Sequence, residues 1–200
     1  MKPETDRIEQ FLECSDVIDW TSPVIRESVM SIVLPDSTDV GAACKLFEFV
    51  RDQIPHSKDA GLETVTCKAS EVLKYGTGIC YAKSHLLAAM LRAVGIPAGF
   101  GYQLLCHDPP YSGMVVHAFN GVFLVSRRRW IRVDCRGNTG CINAQFDLDR
   151  EQLAFPPDAA RGEYTDERIF ANPLPAVIRC LTDYMSVTSM WPNLPKEIPQ

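Results

Sequence analysis

Apolar residues recur at helical spacing through most of the first half of the chain, and the interruptions mark where each helix stops. Ile8 to Cys14 is a short amphipathic stretch. Val24 to Ile32 follows Ser22-Pro23, which puts proline at the first helical position, where its missing N–H is no loss. Leu34-Pro35-Asp36-Ser37 breaks that helix. Asp39 is then a candidate N-cap for a helix running to Arg51, with Ala42, Ala43, Leu46, Phe47 and Val50 at helical spacing. Ile54 to Thr66, which contains Pro55 and Gly61, keeps no period and reads as a loop. Lys68 to Lys74 predicts a short helix whose apolar side is Ala69, Val72 and Leu73.

The run that follows is apolar almost all round, through Leu86, Leu87, Ala88, Ala89, Met90, Leu91 and Val94, and a helix of that kind belongs in an interior. Thr77 or Gly78 offers an N-cap ahead of it, and Gly95 and Pro97 supply the stop. Three strand candidates come next: Gly99 to Leu105, Val115 to Val125 and Trp130 to Asp134. Turn-prone stretches such as His107-Asp108-Pro109-Pro110 separate them. Helices first and strands afterwards predict an α+β fold, with an antiparallel sheet packed on the apolar helix and helices N-terminal to it. Past Asn138 the pattern loosens, with Gln145-Phe146-Asp147-Leu148 and a break at Pro156-Pro157, before a helix from Pro175 to Met185. The last ten residues, with Pro192, Pro195 and Pro199, are expected to lie irregularly along the surface.

Two hundred residues with 46% apolar content suffice for one domain with a sizeable core, so residues 1–200 are expected to form a single domain. A charged fraction of 22% and a net charge of −5 argue against a disordered chain and against a nucleic-acid binder. Arg127-Arg128-Arg129 stands between two strand candidates and reads as a solvated hairpin turn. No apolar leader and no membrane-length run is visible, so a cytoplasmic protein without membrane contact is expected. The eight cysteines show no CxxC pair and no zinc-type cluster; most are expected to be buried thiols, with a disulfide framework as the rival reading.

One cysteine is placed differently from the rest. Cys80 lies two residues after the Gly76-Thr77-Gly78 turn, in the first turn of the apolar helix. There, unpaired N–H groups and the positive end of the helix dipole favour thiolate over thiol. Position alone leaves open that Cys80 is one more small buried hydrophobe. His117 on the second strand candidate and Asp134 at the end of the third shift the reading, because pairing of those strands brings base and orienting carboxylate together.

These residues carry a resemblance. GTGICYAKSHLLAAMLRAVGIPAGFGY, VVHAFNGVFL and RWIRVDCRGN resemble the core of the transglutaminase-like superfamily of papain-type cysteine enzymes, over about Phe47 to Asn138. ARGEYTDERIFANPLPAVIRCL resembles the C-terminal part of small bacterial proteins of that group. The resemblance implies a papain-like, transglutaminase-core fold and a catalytic triad of Cys80, His117 and Asp134. The backbone N–H of Cys80 is a natural oxyanion donor. A second donor is required, and Tyr102 and Gln103 are candidates from placement alone. Arg136 and Asn138, just past Asp134, stand as either substrate contacts or turn caps. His85, about 140° round the helix axis from Cys80, reads as a buried polar residue; His56 and His107, in loops, are expected to be solvent-exposed; Trp130 is expected to pack in the core.

The expected activity is that of a cysteine enzyme acting on amide bonds through an acyl-thioester, with a peptide or protein substrate and no metal or cofactor. Water as acceptor makes it a peptidase or amidase, and this hydrolase is the preferred reading; an amine as acceptor makes it a transglutaminase. A non-catalytic member that uses the same cleft to bind a peptide or partner is the alternative of another class.

Overall fold

A buried helix with a thiol at its first residue is the axis on which the other elements are hung. The computed structural model describes residues 1–199. Its principal elements are β1 (Lys2–Pro3), α1 (Pro23–Ile32), α2 (Asp39–Gln53), α3 (Ala69–Tyr75), α4 (Cys80–Ala93), β2 (Ala98–Cys106), β3 (Met114–Leu124), β4 (Arg129–Val133), β5 (Tyr164–Thr165), β6 (Arg168–Ile169), α5 (Pro175–Thr182) and α6 (Val187–Met190). The fold is α+β, with α4 packed against α1, α2 and α3 and against β2 and β3. Every residue of α4 from Tyr81 to Arg92 is buried, as its unbroken apolar run requires. The helix stops where the sequence says it should, and Gly95 takes the positive φ, +75°, that lets the chain turn back.

Buried polar side chains on α4 tie it to its neighbours. Lys83 donates to the carbonyls of Arg51, at 3.2 Å, and of Ile54, so it holds the C-terminal end of α2. Arg92 bonds the carbonyls of Glu13, Ala98 and Ala171, gathering three distant segments. His85 Nδ1 meets the carbonyl of Cys67 at 2.8 Å, in keeping with its expected buried structural place. Burial pushes Lys83 down to about 8 and His85 down to about 4, because neither charged form has water around it.

Two N-cap expectations fail for identifiable reasons. Thr38, not Asp39, caps α2 through its hydroxyl, and the Asp39 carboxylate turns instead to Ser126 beyond β3. Ile79 precedes α4 without a side-chain cap, because Thr77 uses its hydroxyl on Pro55 O and Ser57 Oγ.

The sheet runs β4-β3-β2-β5, antiparallel throughout, and a separate parallel pair joins β1 to β6. Pairing of β3 with β4 ends at Asn120 opposite Val133. Asp134, next along, therefore leaves the sheet level with Phe119, two residues from His117 on the neighbouring strand. Arg127 and Arg128 lie in the exposed turn between these strands, as their charge predicted, and Arg129, exposed too, opens β4. Within the described residues, the C-terminal stretch departs from its expected surface path. Leu194 and Ile198 are only 6% and 7% exposed, and Pro195 O accepts from the Val116 N–H at 2.7 Å. The stretch opens with a short 3-10 turn at Trp191–Asn193, and the prolines beyond it leave apolar side chains and free carbonyls that dock. Among the described residues, no helix is long and apolar enough to cross a membrane.

Glycine in β2 is required where Phe119 crosses it. A Cβ at Gly101 would come within 2.1 Å of the Phe119 ring, which is fully buried and has nowhere to retreat. Gly101→Ala is expected to destabilise the protein by about 1–3 kcal/mol through overpacking. Chemical denaturation checks this, and an unchanged midpoint would show that the ring yields.

Candidate active site

Three elements converge on the N-terminal end of α4. Cys80 is its first residue; Tyr81 donates its hydroxyl to the carbonyl of Val116, the residue just before His117, and so fixes the helix end against β3. His117 Nε2 and Asp134 Oδ2 lie 2.7 Å apart. The Asp134 carboxylate is fully buried and accepts two further bonds, from Arg136 N at 3.0 Å and Ala154 N at 3.1 Å. With Nε2 committed to Asp134, Nδ1 is the ring nitrogen left to exchange a proton with the sulfur. The Cys80 N–H, at the first helical position with no side-chain cap before it, points to no intrahelical acceptor.

Charge at this end follows from burial and pairing. Burial opposes ionisation of Asp134, but His117 and the two N–H donors hold the carboxyl below its ordinary range. Burial likewise opposes a charged His117; Asp134 and Cys80 outweigh it and lift the ring to about 10. For Cys80, burial pushes the thiol up, yet His117 and His56 bring it down to about 6. Cys67 is pushed up to about 11 and Cys135 and Cys180 to about 12, since burial there meets no comparable cation. With the thiol lowered and the imidazole raised by each other, the pair rests as a thiolate beside an imidazolium near neutral pH.

The cleft above this pair holds about 380 Å³. Leu105, Val115 and Leu194 give it apolar walls, and His56, His107 and Trp191 line it as well. Phe155, from the irregular segment after β4, sets its ring edge-to-face on His117 with centroids 4.9 Å apart. Arg136 lies over Phe155 at 5.4 Å.

Comparison with known sequences bears on the same residues. The profile of the transglutaminase-like superfamily matches residues 27–135, which include Cys80, His117 and Asp134. The chain belongs to the transglutaminase-like superfamily. Among solved structures it is similar to one from Cytophaga hutchinsonii named "a putative cysteine protease", with 17% identity and a TM-score of 0.54. That likeness, which concerns the fold, covers 66% of this chain and 43% of the other, so the present chain spans less than half of that protein's length. No curated protein matches the chain.

Beside the triad positions, this transglutaminase-like chain departs from the sequence expectations in several places. His56 and His107 are not exposed: they are 5% and 9% accessible and both line the cleft. Their loops fold inward because hydroxyls and aromatic rings give them partners. Pro55 O accepts from Thr77 at 3.0 Å, and Ser57 N–H donates to Gly78 O at 3.2 Å. His107 stacks near Tyr111 and meets the edge of Trp191.

Tyr102 and Gln103 do not line the cleft. The Tyr102 hydroxyl is buried and accepts from Leu174 N at 3.0 Å. Gln103, although paired with His117 across the ladder, donates to Phe155 O and Thr165 Oγ1 and lines a separate cavity of about 410 Å³. Arg136 does reach the cleft, with its guanidinium forked onto the Asp59 carboxylate at 2.8 and 3.1 Å. Asn138 brackets Ala144, bonding its N–H at 2.7 Å and its carbonyl at 3.2 Å, and so caps a turn. Of the eight free cysteines only Cys67, Cys135 and Cys180 are buried, so the expectation that most are buried fails. Trp130 is half-buried against Phe11 at the outer face of the sheet rather than in the main core. Among the described residues no three His, Cys, Asp or Glu side chains group as a metal site.

The ion pair fixes the sign of a pH effect. Alkylation requires thiolate, so the Cys80 reaction with iodoacetamide should rise through about pH 6, well below the ordinary thiol range near 8.5. At pH 6.5 and limiting reagent, peptide mapping should find Cys80 modified ahead of Cys14 and Cys141, which are more exposed. Modification of either exposed thiol first would contradict the assignment of charge.

Proposed function

We propose that this protein is a thiol hydrolase that cleaves amide bonds in a peptide or protein through an acyl-thioester on Cys80. The observation that carries the reading is the 2.7 Å contact between His117 and the buried Asp134 at the open end of the helix that Cys80 begins.

In this reading the Cys80 thiolate attacks the carbonyl carbon, and the C=O pair shifts onto oxygen, facing the Cys80 N–H. The tetrahedral centre collapses, the amine leaves with the proton from His117, and the acyl group stays on sulfur. His117, now neutral, takes a proton from water as that water attacks the thioester, and keeps it as the thiolate departs, which restores the resting ion pair. Asp134 keeps the ring oriented and answers its charge throughout. Arg136 forms part of the substrate wall, with its charge balanced by Asp59.

Water as the acceptor is supported by the partial exposure of Cys80 at the cleft floor. At about 55 M, bulk water needs no dedicated site unless closure excludes it. Transfer to an amine is the rival outcome, and non-catalytic capture of a peptide in the cleft is the rival of another class.

The test is a glutamine-containing peptide library offered with and without a millimolar primary amine, with products read by mass. Released acid or cleaved peptide in both arms is the expected result; amine adducts that dominate over hydrolysis would make the protein a transferase. Cys80→Ala and His117→Ala should abolish turnover. Asp134→Asn should lower it less completely, by roughly 10²–10⁴-fold, since it disturbs orientation without removing the base. Thermal melts should remain cooperative in all three, and full activity in His117→Ala would remove the triad.

A further inference from the structure

A second histidine stands at the thiol, and the chemistry above does not use it. His56 lies in the loop after α2, yet its backbone forms a parallel bridge with Gly78, two residues before Cys80. The bridge is reinforced by the Ser57 N–H bond to Gly78 O at 3.2 Å, the Thr77 bond to Pro55 O at 3.0 Å and the Ser57–Thr77 hydroxyl contact at 2.9 Å. Lys83 anchors the preceding carbonyl of Ile54 from inside α4 itself. His56 is thus held to the start of α4 by main-chain pairing as well as by side chains. It is 5% exposed and faces the same cleft as Cys80 and His117.

The far side of the ring is organised too. His56 Nδ1 lies 3.4 Å from Asp59 Oδ1, a contact that stops short of a hydrogen bond. Asp59 is gripped by both arms of Arg136, whose own N–H bonds Asp134. Burial opposes the Asp59 charge, but His56 and Arg136 hold its carboxyl well below the usual carboxylate range. With Nδ1 turned to an anion, Nε2 is the nitrogen left for the cleft.

We propose that His56 is a catalytic residue, the second hydrogen-bond donor to the oxyanion formed when Cys80 attacks a carbonyl. This rests on the acyl-thioester reading above. In the resting state the imidazole stands between two anions, the thiolate and Asp59, with Nε2 turned to the cleft. When sulfur bonds to carbon, the thiolate charge moves to the carbonyl oxygen, and the Nε2–H bonds that oxygen in its place. The Cys80 N–H supplies the other bond. Collapse returns the pair to the C=O bond as the amine leaves with the His117 proton, so His56 keeps its Nε2 proton throughout. Arg136 and Asp59 are positioning residues for this ring.

The experiment compares two reactions of Cys80, one of which makes an oxyanion. Iodoacetamide alkylates sulfur by displacement at a saturated carbon and makes none. The aldehyde acetyl-leucyl-phenylalaninal, suited to the apolar walls, adds to sulfur as a hemithioacetal whose former carbonyl oxygen occupies the hole. Its affinity is read as protection of Cys80 from alkylation at pH 8. His56→Ala should weaken the aldehyde about 10- to 100-fold, the fold-change expected for losing one hydrogen bond to a charged group. The alkylation rate without aldehyde should stay within about 3-fold, the thiol being largely ionised at that pH. His56→Gln keeps an N–H donor and should recover most of the affinity, which separates a lost donor from a damaged fold. His117→Ala should slow both reactions. Equal loss of alkylation and aldehyde binding in His56→Ala, or no loss of either, would overturn the role given to His56 alone. Absence of any adduct on the wild-type protein would overturn the acyl-thioester reading and the proposal with it.

Discussion

A carboxylate with no access to water is the constraint from which the site follows. Asp134 has zero exposure, and an isolated charge so placed is not tolerated; it must be paired and hydrogen-bonded. His117 and two main-chain N–H groups meet that demand. The demand also reaches further. One N–H belongs to Arg136 and one to Ala154, so the chain after β4 must return to the carboxylate, and in returning it lays Phe155 on His117. Removing one partner of a buried pair typically costs about 3–5 kcal/mol, which makes this contact a structural anchor as well as a constraint on the orientation of the His117 ring.

The irregular segments are held by a second set of polar contacts that converge on the same helix end. Lys83 reaches the end of α2, Tyr81 the strand before His117, and Thr77 the loop that carries His56. None of these is an exposed ion pair of small value. Each joins a buried side chain to a main-chain carbonyl, and such groups are costly to leave unsatisfied. The lysine on an otherwise apolar helix is thereby explained: a shorter or neutral side chain would leave the Ile54 and Arg51 carbonyls facing the core.

The fold was legible where periodicity speaks. Helices α1 to α4 and strands β2 to β4 lie within a residue or two of the positions that apolar spacing predicts, because each buries a continuous face. The placement of Cys80, His117 and Asp134 was legible because they sit on those elements, at a helix start, in a strand and just past a strand end. His56, Trp191 and Phe155 were not. They lie in segments with no period, and their inward orientation comes from contacts with residues far along the chain: Gly78, Lys58 and His117. Tyr102 and Gln103 mislead for the opposite reason. Their strand lies beside His117, but Tyr102 is drawn to Leu174 and Gln103 to Phe155 and Thr165. The hydroxyls of Ser57, Thr66 and Thr77, buried around the cysteine turn, are what order this loop.

The central claim is that Cys80 and His117 rest as an ion pair and not as a neutral thiol beside a neutral ring. Nitrogen-15 NMR of the imidazole side chains at pH 8 tests it most directly, with His117 assigned by its loss in His117→Gln. The account predicts two protonated ring nitrogens on His117, the signature of imidazolium, at a pH where an ordinary histidine is neutral. A single protonated nitrogen on His117 at that pH would contradict it.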